Sequence, residues 1–345
     1  MGELAREKII IPLSKCLPGM VLLQPIVDEK TGAILLPRGG KLTKESIKKV
    51  HHFQHTQVWV DINTEEKIWQ TDETIVEYYK DYATTLKRII EGENKVGEAL
   101  NIEDLKNLAQ YMIKNFKDDF NLLACVNLVT QLQEDCYTHS INVAFLSLMM
   151  GRWRAYSEQR LEQLVLAGLL HDVGKIDLTI ALKENDMDGS LMERLAYKRH
   201  PIFGYEKLAQ FNELDNEVLK AVLTHHERCD GSGFPLSLRE DKISDIAKII
   251  GLADTYDELR QKEHIFNVIK ELRSTQLRAF EVDLLLEFCN NIMNYYIGNH
   301  VLLSSGEIAE IYAIQPQSVY RPIVKVNDKL IDLYVQSQID IVKVF

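Results

Sequence analysis

Leu169-Leu170-His171-Asp172-Val173-Gly174-Lys175 closes an apolar run that starts at Leu161, and the reading of the chain turns on it. A carboxylate at the end of such a run is headed for the interior. Left unpaired there it would be very costly, so a cation or a strong hydrogen-bond donor has to meet it. The same problem recurs at Asp254, which follows Ile249-Ile250-Gly251-Leu252-Ala253. Working outward, Asp135-Cys136-Tyr137-Thr138-His139-Ser140 puts Asp135 and His139 on one face of a helix. Arg199-His200-Pro201 and His225-His226-Glu227-Arg228-Cys229-Asp230-Gly231-Ser232-Gly233-Phe234-Pro235 follow, and Leu252-Ala253-Asp254-Thr255-Tyr256-Asp257 is the last segment of the set.

Taken singly, each segment has an ordinary explanation: a His-Asp hydrogen bond, a helix-end cap before a proline, a core and a surface histidine, a glycine turn. Taken together they concentrate His139, His171, His200, His225 and His226, five of the ten histidines, beside buried carboxylates. That describes a metal centre. Imidazoles and carboxylates without thiolates suit iron, manganese, nickel or zinc. Cys229 is read as a bystander.

The composition bounds the rest. A chain of 345 residues is too long for one ordinary core. Apolar residues make up 46% and charged residues 26%, the balance of a soluble globular protein. The net charge of −11 argues against nucleic-acid binding through a general basic surface. The five cysteines are scattered and odd in number, which favours a reducing compartment over a disulfide framework. No signal-peptide core and no membrane-spanning stretch is read, so the expected location is cytoplasmic.

The fold expectation is mostly α. Residues 1–63 read as a small β-containing domain, with turns at Leu17-Pro18-Gly19-Met20 and Lys30-Thr31-Gly32 and an apolar strand over 21–27 that contains Pro25. In the same segment Thr43 caps a short helix, and a strand spans 57–62. Residues 64–120, rich in Glu, Lys, Tyr and Leu without proline, read as a helical connector. Residues 121–297 read as an all-helical metal-binding domain. Residues 298–345 return to β patterning at 301–303, 308–314, 323–326 and 332–335.

The ordered set over 121–297 resembles the HD-GYP family, a branch of the HD phosphohydrolases, and 225–235 is similar to its signature. The resemblance implies a centre of two or three divalent ions that hydrolyses cyclic di-GMP, or in some members 3′,3′-cyclic GMP-AMP. By the same resemblance His139, His171, Asp172 and Asp254 hold one ion. His200, His225 and His226 hold a second, with Asp172 bridging. Asp135 is the candidate ligand of a third ion, with Glu134 as its fallback. Lys175 contacts the scissile phosphate, and Arg228, Asp230, Gly233, Phe234 and Pro235 line the substrate. The chain departs from the pattern at Phe234, which stands in place of tyrosine. It departs again at Ile176-Asp177-Leu178, and after Asp257, where Glu258-Leu259-Arg260-Gln261-Lys262-Glu263-His264 replaces an Arg-Pro-Tyr-Arg segment.

The expected reaction is attack of a water, activated between two ions, on one phosphodiester, with Asp172 and Lys175 as the catalytic side chains. The product is linear pGpG, and GMP after a second cut. The rival readings are a nucleotidase of the wider HD superfamily and a non-catalytic cyclic-dinucleotide receptor or interaction module. Residues 1–63 carry no expected ligand. They are assigned to regulation, through a homodimer contact or a protein partner.

Overall fold

A computed structural model describes residues 7–12, 21–27, 34–40, 42–51, 57–62, 73–92, 100–116, 119–129, 135–175, 189–326 and 329–345. The turns expected at Leu17-Pro18-Gly19-Met20 and Lys30-Thr31-Gly32 lie outside these residues, as do Glu134 and Ile176-Asp177-Leu178. Residues 71–291 form one compact unit, and residues 1–70 with 292–345 form another. The sequence reading sets 1–63 and 298–345 apart as two pieces, whereas here they fall in the same unit.

At the start of the chain β1 (Glu7–Pro12) and β2 (Val21–Leu22) pair antiparallel with β5 (Gln57–Ile62) on its two sides, Ile10 opposite Trp59 and Leu22 opposite Val60. β3 (Ile26–Val27) pairs with β4 (Ile34–Leu36), and α1 (Lys44–His51) follows Thr43, whose Oγ1 accepts the Ser46 N–H. The expected strand over 21–27 is thus two short strands. Pro25 has no N–H to give a ladder, so pairing stops before it and resumes with another partner.

The larger unit is helical: α2 (Glu73–Glu91), α3 (Ile102–Asn115), α4 (Asp119–Val129), α5 (Cys136–Trp153), α6 (Glu158–Leu170), α7 (Gly189–Leu208), α8 (Asn216–Thr224), α9 (Asp245–Arg260), α10 (Ile265–Ser274) and α11 (Val282–Asn294). α5 is its axis. Every residue over 140–151 is buried, so this helix has no polar face and must be enclosed. α2, α4, α6 and α9 pack around it. Phe145 meets the rings of Tyr79, Tyr82 and Phe116 at 6.0, 6.3 and 4.7 Å. The α5–α6 crossing is close because residue 168 has no side chain: a Cβ there would lie 2.6 Å from the Ala144 Cα. This approach brings the start of α5, with His139, against the end of α6, with His171.

The chain ends in a five-stranded antiparallel sheet ordered β10-β6-β7-β8-β9. Its strands are β6 (His300–Leu303), β7 (Ile308–Ala313), β8 (Ile323–Val326), β9 (Lys329–Asp332) and β10 (Ile341–Val344). Val301, Leu303, Ala309, Ile311, Val324 and Val326 are buried. The strand expected at 332–335 ends at its first residue, Asp332, and 333–335 is a turn, because Asp332 Oδ1 accepts the N–H groups of Tyr334 and Val335 at 2.9 and 3.4 Å and so competes with a ladder.

Candidate metal centre

Five helix segments deliver the side chains. His139 lies in the first turns of α5, His171 and Asp172 at the end of α6, and His200 on α7. His225 and His226 follow α8, and Asp254 lies on α9. They gather as two groups, Asp172 with His200, His225 and His226, and His139 with His171 and Asp254. Within each group the candidate ligand atoms all lie within 4.8 Å of one another.

The histidine rings show why these groups fit cations. His171 Nδ1 lies 2.7 Å from the Gly168 carbonyl and His225 Nδ1 lies 2.8 Å from the Val222 carbonyl, while His200 Nδ1 meets the Tyr197 carbonyl. A carbonyl only accepts, so each Nδ1 carries the proton, and in the neutral ring each Nε2 presents a lone pair. Yet His200 Nε2 and His225 Nε2 are 3.2 Å apart, and His171 Nε2 is 3.3 Å from His139 Nε2. Burial, reinforced by the neighbouring imidazoles, holds His225 well below the usual histidine value, and burial brings His226 to about 3. At His200 and His225, where both Nδ1 atoms face carbonyls, the lone pairs on the two Nε2 atoms oppose each other and repel unless a cation lies between them. Asp172 Oδ1, Asp254 Oδ2 and His226 Nε2 are also buried with no hydrogen-bond partner. The residues therefore fit divalent ions.

Asp172 divides its carboxylate between the groups. Its Oδ1 faces His200 Nε2 at 3.2 Å and His225 Nε2 at 3.9 Å. Its Oδ2 faces His171 Nε2 at 3.4 Å, His139 Nε2 at 3.7 Å and Lys175 Nζ at 2.6 Å. Asp254 does likewise, with Oδ1 3.2 Å from His139 Nε2 and Oδ2 3.6 Å from His226 Nδ1. Burial alone would raise both carboxyls. The surrounding donors and charges instead hold both well below the usual range, led by His171 and Lys175 at Asp172 and by His139 at Asp254. Burial also opposes the charge on His139, but hydrogen bonds to Asp254 and Asp257 outweigh it and raise that group well above its ordinary value. A bound ion would compete with that proton.

A second tier fixes the ligands. Asp257 accepts from His139 Nδ1 at 2.9 Å and from Asn142 Nδ2 at 3.1 Å, and Asn142 Oδ1 in turn accepts from the Tyr79 hydroxyl at 2.9 Å. This chain orients a ligand imidazole in the way carboxylate–histidine pairs do at metal sites. Gly174 allows the turn after Asp172 to press on α7. A Cβ there would sit 2.1 Å from the His200 carbonyl oxygen.

The remaining expected site residues fall as follows. Asp135 is exposed and spent as the N-cap of α5: its Oδ1 accepts the Tyr137 and Thr138 N–H groups at 3.1 and 2.9 Å, and it belongs to neither ligand group. Arg228 braces the loop from within the chain. Its guanidinium donates to the carbonyls of His225 and Glu227 and to Thr255 Oγ1, and lies over the Phe280 ring. Asp230 is exposed and closes a turn, accepting from Ser232 N and Oγ at 2.9 and 2.6 Å; these bonds lower its carboxyl. Gly233 is there for close approach, since a Cβ would lie 2.4 Å from the Arg228 nitrogen, and Pro235 is half-buried in the same loop. Phe234 does reach the site and stacks on His226 at 4.6 Å. Arg260 binds the Asn127 side chain and the Val126 carbonyl on α4, and Lys262 is exposed.

Sequence reasoning missed Asp257, Asn142, Glu227 and Tyr79. Asp257 and Asn142 had a signal, a polar residue three positions from a ligand within an apolar helix. Glu227 had one too, adjoining the paired histidines; its carboxylate accepts the N–H groups of Leu236 and Leu238 at 2.6 and 2.7 Å and so shapes the loop. Tyr79 had none, because only tertiary packing brings α2 to α5.

With this geometry in place, comparison with known proteins is direct. The HD domain family matches residues 136–259. A cyclic di-GMP phosphodiesterase of Pseudomonas aeruginosa, PA4108, is 29% identical over 210 residues, covering 59% of this chain and 50% of the relative. The 3′3′-cGAMP-specific phosphodiesterase 2 of Vibrio cholerae is 28% identical over 171 residues, 47% of this chain and 33% of the relative. Against the first of these, the chain spans about half the relative's length, 50%. Among solved structures Bd1817, an HDG"Y"P protein from Bdellovibrio bacteriovorus, matches with a TM-score of 0.51 at 17% identity, over 84% of this chain and 100% of that one. At that identity the likeness is one of fold.

Proposed function

We propose that the HD domain of this chain, residues 136–259, is the core of a metal-dependent phosphodiesterase that opens cyclic di-GMP to linear pGpG and on to GMP. The observation that carries this reading is the division of one buried carboxylate, Asp172, between two groups of outward lone pairs. His139, His171 and Asp254 would hold one ion and His200, His225 and His226 the other, with Asp172 between them. The donor set favours iron or manganese, with nickel and zinc also compatible. Such ions, when bound, ionise water near neutral pH and offset charge on a phosphate.

The protein's own groups do the rest. Asp257 and the carbonyls of Gly168, Tyr197 and Val222 keep the proton on Nδ1 of four rings, so each Nε2 stays free to ligate. Lys175 holds a cation at the edge of the centre, against Asp172 Oδ2. From there its ammonium reaches a non-bridging phosphate oxygen, where fixed positive charge stabilises the developing transition state. With Arg260 engaged on α4, Lys175 takes the role that the missing cation segment would share.

The resemblance to a cGAMP-specific enzyme supports a second substrate, 3′,3′-cyclic GMP-AMP. Cys125, Cys136, Cys229 and Cys289 are free thiols, which supports a reducing, cytoplasmic setting. Among the described residues no helix is long and apolar enough to cross a membrane. Incubating the metal-loaded protein with cyclic di-GMP and with cyclic GMP-AMP, and separating products by chromatography, tests the reading. Linear dinucleotide is expected. No product from either, with two metal equivalents bound, would refute it.

A further inference from the structure

Tyr197 stands one turn before His200 on α7, and the residue is 38% exposed. It is nevertheless held in place on several sides. Its ring centroid lies 5.4 Å from both His200 and His226 and 5.8 Å from Phe234. Lys175 Nζ lies 5.0 Å from the ring centre, and the hydroxyl donates to Glu258 Oε1 at 3.4 Å. The helix needs Tyr197 only for its carbonyl, which orients His200 and which any residue could supply. The ring neither ligates nor fills a core. It is an ordered aromatic surface left open to solvent beside two ligands of one ion group and the cation of the site.

We propose that Tyr197 is a substrate-positioning residue: its ring is the platform on which a purine base of the substrate stacks. The proposal rests on the phosphodiester reading above and adds the contact that recognises the nucleoside. In a nucleotide one sugar separates base from phosphate. Here one ring contact, 5.4 Å, separates Tyr197 from the ligand His200. Stacking on an aromatic side chain accepts any base, since every base has a π face. The platform therefore contributes affinity for guanine and adenine alike and does not choose between them. The Glu258 contact, at 3.4 Å, is long for a hydroxyl–carboxylate hydrogen bond and is not itself needed for stacking.

The test uses the full metal-loaded chain in calorimetric titrations with GMP and with ribose 5-phosphate, which lacks the base. The parent should bind GMP about tenfold more tightly than ribose 5-phosphate, the size expected of one stacked base. Tyr197→Leu should bring GMP down to the ribose 5-phosphate level, with ribose 5-phosphate binding and metal content unchanged. Tyr197→Phe should keep the preference. Tyr197→Trp, with a larger face, should keep or strengthen it, and serves if the leucine variant fails to fold. Equal binding of the two probes by the parent, a preference retained in Tyr197→Leu or lost in Tyr197→Trp, or a loss in Tyr197→Phe equal to that in Tyr197→Leu would overturn the proposal. Turnover of cyclic di-GMP by the parent is scored separately. Its absence counts against the phosphodiesterase reading, while the difference between the two probes still reports on the platform.

Discussion

Removing the Asp257 carboxylate should weaken a metal group that it orients through His139. Asp257 is 1% exposed and accepts both the His139 Nδ1 proton at 2.9 Å and an Asn142 amide proton at 3.1 Å. In Asp257→Ala both donors are orphaned. Each buried donor left unpaired costs about 1–3 kcal/mol, which sets an upper range of roughly 2–6 kcal/mol on the loss of stability before water or relaxation reduces it. His139 also loses what holds its proton on Nδ1, so its Nε2 is no longer reserved for an ion. Loss of such an outer partner lowers metal affinity by about 10–100-fold, equivalent to about 1.4–2.8 kcal/mol. Asp257→Asn should fall between parent and alanine. Its oxygen can face His139 while its amide faces Asn142, if Asn142 flips. The Tyr79 hydroxyl tolerates that flip because it also reaches the Thr138 carbonyl at 3.0 Å. Competition against a chromophoric chelator gives the affinities, and thermal melts of metal-free protein give the stabilities. The deficit should concern one ion, so stoichiometry should move from two towards one. Parental metal affinity in Asp257→Ala, or an asparagine variant worse than alanine, would refute the argument.

Metal-free protein should lose stability as pH falls. Burial depresses His225 and His226, the latter to about 3 from an unfolded value of 6.5, so below about 6.5 the unfolded chain binds protons that the folded one refuses. His139 is shifted the other way and its contribution is already complete below the unfolded value, so it does not offset the loss. Melting temperatures should drop between about pH 6.5 and 4.5, less steeply in His226→Gln; a rise over that window contradicts the assignment. Arg228→Ala should cost about 1–3 kcal/mol of stability by removing the donor to two carbonyls, and Arg228→Lys should not restore it; a raised KM with unchanged stability would return Arg228 to substrate binding. Asp135→Ala should cost about 0.5–2 kcal/mol as a lost helix cap, with metal content unchanged; loss of one ion equivalent on elemental analysis would show that Asp135 does ligate. Gly174→Ala should cost about 1–3 kcal/mol by overpacking and release the His200 ion first, as read by elemental analysis after dialysis.

The helical class and the gathering of His139, His171, Asp172, His200, His225, His226 and Asp254 were legible in the linear chain. The reason is physical: a histidine or aspartate that ends an apolar run must be compensated, and that requirement is visible without coordinates. The terminal β segments were legible in part, where alternation was clean. Pro25 and Asp332 redirected the rest through backbone donors, a local effect that patterning does not weigh. What the chain alone did not decide was the use of each polar group. Asp135 and Asp254 are both acidic residues near a histidine, yet one caps a helix in solvent and the other is buried between two ligand groups. Arg228 lies within the signature and points its charge at the backbone. Asn142 and Tyr79, which complete the support of His139, are brought together across 63 residues of chain. Residue type and spacing set what a side chain can bond. Which bond forms depends on the burial and direction that packing imposes, and these arise only when α2, α5 and α9 close on one another.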